Sequence, residues 1–308
     1  MSDVTSMSRK ARPLTSVLEV ASRNGFAVGS FSPRYTTMID PILRAAEQLR
    51  SPLIVQISQR EMERYGITPD EFGTVFRAAL ERVGTTVPVV LHLDHSFELK
   101  VLRDAIAAGF TSVMMDGSAK SFEENVRISL EAAELAHASG ISVEAELGKI
   151  GTTDFVETDK DEEHYTVPEE AAEFVRRTGV DALAVSVGTA HGLYTVKAPK
   201  IDFRRLREIR ALSDVHLVLH GGSGVPPKMI QEAVQLEGGG ISKVNIATDL
   251  EEALLASLGR KVRMSNSECS ALSEEDRRRA EDAVEATVAE KITTFLCSAD
   301  KASLFDLT

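Results

Sequence analysis

The sequence VVLHLDH, Val89 to His95, is an apolar run that ends in an acid and a histidine. Apolar residues at every position from Val89 to Leu93 except His92 predict a strand buried on both faces, and Asp94 and His95 fall where that strand leaves the core. An acid beside an imidazole at a strand mouth points to chemistry, provided that other strands deliver matching groups to the same place.

The segments on either side repeat one unit. Upstream, LIVQIS (Leu53 to Ser58) is a strand followed by a helix through Glu71 to Val83, and FAVGSFS (Phe26 to Ser32) precedes helical spacing in Ile39, Leu43, Ala46 and Leu49. Downstream, a helix from Phe97 to Ala108 leads to SVMMDG (Ser112 to Gly117). The next helix starts at Ser121 with Glu124 three residues on, a capping-box pattern, and runs to Ala138. SVEAELG (Ser142 to Gly148) opens the long connection GKIGTTDFVETDKDEEHYT, after which Pro168 starts a helix to Arg177. ALAVSVG (Ala182 to Gly188), LVLHGG (Leu217 to Gly222) and ISKVNIAT (Ile241 to Thr248) complete the series, with helices around Phe203 to Leu212 and Pro227 to Leu236.

About eight such units in a chain of this length, with strands apolar on both faces, point to a (β/α)8 barrel rather than an open doubly wound sheet. No GxGxxG follows an early strand, so the usual support for a dinucleotide fold is missing. The expected fold is α/β, a (β/α)8 TIM barrel with extra C-terminal helices over Glu251 to Ala299. Residues 1–16 are expected to be a flexible N-terminal arm and 17–308 a single domain.

Composition narrows the function. The chain has 308 residues, 43% apolar and 27% charged, with a net charge of −12, which argues against a nucleic-acid partner because phosphate-backbone affinity needs clustered Lys and Arg. The two cysteines, Cys269 and Cys297, cannot form a disulfide framework and fit a reducing compartment. No secretory signal or membrane-length apolar run is visible, so a soluble, cytoplasmic protein with no membrane partner is expected.

The predicted strand ends carry ligand-type residues. Strand three ends at Asp94 and His95, strand four at Asp116, strand five at Glu146, strand six leads to His191, strand seven ends at His220, and strand eight at Asn245 and Asp249. In such a barrel the C-terminal strand ends form the active face. A lone histidine is more often a satisfied polar residue than a ligand, but three from three strand ends weaken that reading. His92, His137, His164 and His216 keep it, with His92 packed or turned to the opposite face. Three imidazoles with an open fourth position suit a catalytic zinc, with Asp116 and Glu146 orienting the ligands or serving an alternative metal position. The turns VGTAHG (to Gly192) and HGGSG (Gly221, Gly222, Ser223) expose backbone N–H groups beside the histidines. NIATD (Asn245 to Asp249) ends the last strand where this barrel commonly binds phosphate.

At these residues the chain resembles the class II, metal-dependent ketose-bisphosphate aldolases, which act on fructose bisphosphate and tagatose bisphosphate. The matching segments are LHLDH, GFTSVMMDGS, SVEAELG, YTVPEEAAEFVRRTGVDALAVSVGTAHG, LVLHGGSGVP and ISKVNIATDL, spread from Leu53 to Leu250. The resemblance implies a homodimeric or homotetrameric barrel that cleaves a ketose phosphate reversibly into dihydroxyacetone phosphate and an aldehyde, through a metal-stabilised enediolate. It implies zinc ligands at His95, His191 and His220, an alternative metal position at Asp116 and Glu146, and a monovalent cation bordering the glycine turns. Asp94 would handle the oxygen at the cleaved bond. Gly192, Gly221, Ser223, Asn245, Thr248 and Asp249, with Gly222 beside them, would hold dihydroxyacetone phosphate.

Four segments depart from the family pattern. Ser96 stands where glycine commonly follows the histidine of LDH, and the first strand ends in FSPRY where a Phe-Asn-x-x-Asn pattern is usual. The mobile loop reads GTTDF, leaving Asp154 as the nearest proton-moving carboxylate, with Glu157 next. The arginine that commonly holds a distal phosphate has no clean match, although Arg277 to Arg279 stand nearby. These departures cluster on the aldehyde half of the substrate, so Ser32, Arg34 and Tyr35 are expected to contact an aldehyde other than glyceraldehyde 3-phosphate. Two competing readings are a metal-dependent hydrolase on the same barrel and a non-catalytic barrel that binds sugar phosphates.

Overall fold

Side-chain alternation decides what each strand contributes. Val89, Leu91 and Leu93 join the apolar shell between barrel and helices, while Val90 packs in the separate cluster inside the barrel with His92 and Asp94 following on its face. The computed structural model of the chain describes residues 11–152, 164–192 and 199–305. Within them β1 (Val28–Phe31), β2 (Leu53–Ser58), β3 (Val89–Ser96), β4 (Ser112–Met115) and β5 (Ser142–Leu147) run in order around the barrel. A separate parallel pair is made by β6 (Gly151–Thr152) and β8 (Ala190–His191), and β7 (Ala182–Val185), β9 (His216–Leu219) and β10 (Ile241–Ile246) complete the circle. All barrel pairings are parallel, and β10 closes on β1. This is the (β/α)8 barrel that the repeated unit predicts.

The N-terminal end of the barrel is filled with apolar side chains. The helix Leu14–Asn24 buries Leu14, Val17, Leu18 and Ala21, the one-face spacing of an amphipathic helix, against Val28, Ile54, Val90, Met114, Ala182 and Val218. Phe26 and Phe305 join the same cluster. The expectation of a flexible arm through residue 16 is corrected for residues 11–16. Ala11 bridges to Val89, Arg12 donates its N–H to the Val89 carbonyl at 2.7 Å, and the helix begins at Leu14, because its apolar face closes the barrel floor.

The C-terminal segment expected to be helical over Glu251 to Ala299 contains the helices Asn266–Ser270 and Glu274–Thr294. The longer one packs on the helices Ile39–Gln48 and Thr248–Ser257, and Arg44 bridges to its Glu281 and Glu285 at 3.0 and 2.7 Å. Among the described residues no helix is long and apolar enough to cross a membrane.

Candidate active site

Alternation along β3 breaks at its end. Leu93 pairs with Val113 and Ser96 with Met115, so β3 carries one extra residue there, and His95 takes a left-handed backbone at φ 29°. Such a bulge re-aims side chains, and here Asp94 and His95, adjacent in sequence, both turn to the barrel mouth. Ser96, which replaces the family's usual glycine, is fully buried and donates its hydroxyl to the Met114 carbonyl at 2.5 Å. It serves the bulge.

His95 is the meeting point of the cluster. Its Nδ1 donates to Asp116 Oδ2 at 2.8 Å and lies 3.8 Å from Glu146 Oε2, and its ring meets the His220 ring edge-on at 4.6 Å between centroids. His220 Nδ1 is 3.5 Å from the same Glu146 oxygen. Burial alone would lower the His95 pKa, but Asp94, Asp116 and Glu146 together overcome it and push it up to about 10. Burial, reinforced by the Asp116 carboxylate, pushes Glu146 up to about 8. Asp116 moves the other way: despite burial, His95 and the Ser118 hydroxyl and N–H hold it below the usual carboxylate range.

Asp94 is oriented by two amides. Asn245 Nδ2 donates to its Oδ1 at 3.0 Å and Gln56 Nε2 to its Oδ2 at 3.2 Å, while the Ser30 hydroxyl donates to Gln56 Oε1. Below lies a second polar tier, in which sequence reasoning missed Glu144 and Lys243. Glu144 bonds His220 Nε2 at 3.0 Å and Lys243 Nζ at 2.8 Å, all fully buried, and His92 is hydrogen-bonded to Ser112 at 2.9 Å. His92 therefore shares the inward face with Asp94 and does not turn to the opposite one. The available signal was the two-residue period: Glu144 precedes Glu146, Lys243 precedes Asn245, and Gln56 precedes Ser58 on the same face of their strands.

The remaining expected residues divide. The backbone of His191 pairs with Thr152, and the preceding Ala190 packs on Gly221, so this backbone lies beside the turn that follows His220. Asp154 and Glu157 lie outside the described residues. Gly221 has φ 66°, and a Cβ there would sit 2.3 Å from the Ala190 carbonyl; one on Gly222 would sit 2.9 Å from the Asn245 carbonyl. Glycine is required at both by close packing. Gly192 follows with φ 113°. Ser223 Oγ accepts from the Asp249 N–H at 3.3 Å, at the N-terminus of the helix Thr248–Ser257, while the Asp249 carboxylate pairs with Lys291 at 2.8 Å.

At the end of β1, Arg34 is left-handed at φ 63° and is held by Glu61 at 2.9 Å and Glu251 at 3.8 Å. Ser32 donates to Glu61 at 2.9 Å. Tyr35 departs from expectation: it has no exposed surface, and its hydroxyl is shared between Glu251 at 3.4 Å and the Met264 N–H at 3.1 Å. It braces the Arg34 network and does not face the mouth. Arg277, Arg278 and Arg279 pair with Glu281, Glu274 and Asp276 of their own helix on its exposed side.

The donor set fits a divalent cation. Two groups, Asp94 with His95 and His220, and His95 with Asp116 and Glu146, each bring one ligand atom per residue within 4.8 Å of the others, and they share His95. Glu146 Oε2 is buried with no hydrogen-bond partner among the described residues. Mixed imidazole and carboxylate donors in a buried pocket suit a transition metal better than magnesium or calcium.

Known proteins carry the same architecture. The family model for fructose-bisphosphate aldolase class-II matches residues 12–301. The crystal structure of the YdjI aldolase from Escherichia coli K12 is 32% identical, with a TM-score of 0.79 over 95% of this chain and 99% of that one. A Coccidioides immitis protein assigned as a fructose-1,6-biphosphate aldolase is 28% identical, with a TM-score of 0.80 over 95% and 99%. The fructose-bisphosphate aldolase of Campylobacter jejuni, 23% identical with a TM-score of 0.76 over 97% and 99%, shares the fold. With a barrel whose mouth gathers Asp94, His220, Asp116 and Glu146 around His95, and a family match spanning nearly the whole sequence, this chain belongs to the class II fructose-bisphosphate aldolases and is a carbon-carbon lyase.

Proposed function

We propose that the chain is a zinc-dependent aldolase that reversibly cleaves a ketose phosphate into dihydroxyacetone phosphate and an aldehyde. The observation that carries this reading is the convergence of His95, His220, Asp116 and Glu146 beside an amide-held Asp94 at the strand ends. His95, His191 and His220 would hold the metal, with Asp116 and Glu146 as its alternative partners. Bound there, the metal supplies a Lewis acid for the ketone fragment. Asp94 moves the proton of the hydroxyl that becomes the aldehyde, and the Gln56 and Asn245 amides keep its carboxylate aimed. Asp154 moves the proton at the ketone fragment. The turns at Gly192, Gly221, Gly222 and Ser223, with Asn245, Thr248 and the N-terminus of the helix that Asp249 helps to open, receive the ketone phosphate through backbone N–H groups and a helix dipole. A monovalent cation borders the same turns.

The aldehyde half is read as something other than glyceraldehyde 3-phosphate. Arg34 stands at the strand end with two carboxylates already on it, which leaves little positive charge for a second phosphate, and Arg277 to Arg279 pair with carboxylates of their own helix on its exposed side. Ser32 and Arg34 would select that half. The test is a condensation screen of dihydroxyacetone phosphate against phosphorylated and unphosphorylated aldehydes, with elemental analysis of the purified protein. The expected result is about one zinc per chain, loss of activity with a chelator, and preference for an aldehyde without a phosphate. A metal-free protein whose activity ignores a chelator would remove the zinc reading. Efficient turnover of fructose 1,6-bisphosphate, unchanged in Arg34→Ala, would remove the aldehyde reading.

A further inference from the structure

We propose that Glu144, backed by Lys243, is a positioning residue that selects the ring tautomer of His220 and so presents His220 Nδ1 to the cluster at the barrel mouth. The inference rests on reading that cluster as a metal site. Glu144 lies one inward step before Glu146 on β5 and divides its two oxygens: Oε1 is 3.0 Å from His220 Nε2, and Oε2 is 2.8 Å from Lys243 Nζ. Glu144, His220 and Lys243 have no exposed surface. A carboxylate offers only lone pairs, so the short contact places the hydrogen on Nε2. A neutral imidazole with its hydrogen on Nε2 keeps its lone pair on Nδ1, and Nδ1 is the atom 3.5 Å from Glu146 Oε2, on the side of the cluster.

Lys243 accounts for the carboxylate's presence so deep in the barrel. A buried carboxylate without a charge partner is strongly disfavoured, whereas Glu144 and Lys243 form a neutral pair across the interior between β5 and β10. His92, held by Ser112, brings Nε2 to 3.7 Å from the second oxygen and closes the remaining side. Glu144 therefore cannot swing up to the mouth without leaving Lys243 unpaired. Metal-binding histidines are commonly fixed through their other ring nitrogen in this way, and loss of the fixing group typically costs about 10- to 100-fold in metal affinity.

Nitrogen-15 NMR of the full chain labelled at histidine tests the tautomer directly. His220 is expected to carry its hydrogen on Nε2 both without metal and with Zn2+ bound; hydrogen on Nδ1 in the metal-free protein would overturn the inference. Zn2+ affinity, measured by competition with a chromophoric chelator, tests the consequence. In the charge-balanced double variant Glu144→Leu with Lys243→Met, affinity should fall about 10- to 100-fold. In Glu144→Gln with Lys243→Met, the amide carbonyl accepts the same hydrogen bond and should restore most of it. Parent-like affinity in a folded Leu/Met variant, or equal losses in both variants, would leave the pair a mere interior staple and overturn the proposal. If the double variants do not fold, the tautomer of the parent protein decides. A parent that binds no Zn2+ defeats the metal-site reading instead, and the tautomer still decides this inference.

Discussion

At the floor of the barrel stand Val28, Ile54, Val90, Met114 and Val218, and two residues further along the same strands stand Ser30, Gln56, His92, Asp116 and His220. One step of the strand period converts a sealed apolar plug into a polar interior without changing the backbone. Below, burial of apolar area is the whole interaction, so residue size matters and identity matters little. Above, buried polar side chains need polar company, and the chain supplies it: two amides for Asp94, a lysine ion pair and a histidine for Glu144, a serine for His92. The division lets stability and chemistry be altered separately.

The sharpest way to break this separation is Asp94→Ala. Loss of its carboxylate should lower kcat by about 10²- to 10⁴-fold, the usual contribution of a positioned general acid or base. Bound metal measured by elemental analysis should persist, and loss of metal in this variant would make Asp94 a ligand first. At the floor, Leu18→Ala should destabilise the fold by about 2–5 kcal/mol in denaturant titration, because the residue is fully buried in the plug. Its kcat below the unfolding transition should match the parent. A large drop in kcat with little loss of stability would show that the two ends are coupled.

The smallest effect is a pH dependence that belongs to the upper end alone. His95 is raised from an ordinary 6.5 to about 10 by its three carboxylate neighbours against the effect of burial, and Glu146 from 4.5 to about 8 by burial and Asp116. A group raised in the folded state contributes stability that is complete below its unfolded value and is lost as pH climbs through its folded value. The metal-free protein should therefore melt lower as pH rises from 6 to 9, Glu146 acting first and His95 later. Metal binding needs both groups deprotonated, so the loaded protein should not follow that fall. Parallel melting curves for the two forms across that range would contradict the placement of these groups at the metal site.

Much of this was legible in the chain itself. The apolar strand runs, the helices between them and the polar residues at the strand ends follow from local periods, and they were sufficient for the barrel and for a cluster at its C-terminal face. The arm expected through residue 16 was misjudged because the short helix Leu14–Asn24 gains its stability from a barrel floor that only the closed fold provides.

What the sequence by itself determined is where the strands and helices lie and that ligand-type residues gather at the strand ends, since local periods need no partner to be read. What only the tertiary structure decided is depth and company. Glu144 and Glu146 share a face, yet one meets Lys243 and His220 inside the barrel and the other meets the cluster at the mouth. The bulge that turns His95 beside Asp94 shows itself only against β4, and the buried Tyr35 hydroxyl finds its partners in Glu251 and Met264, more than two hundred residues later. The physical reason is that register, closure and long-range hydrogen bonding are relations between strands, and no single strand encodes the height at which its neighbour will stop.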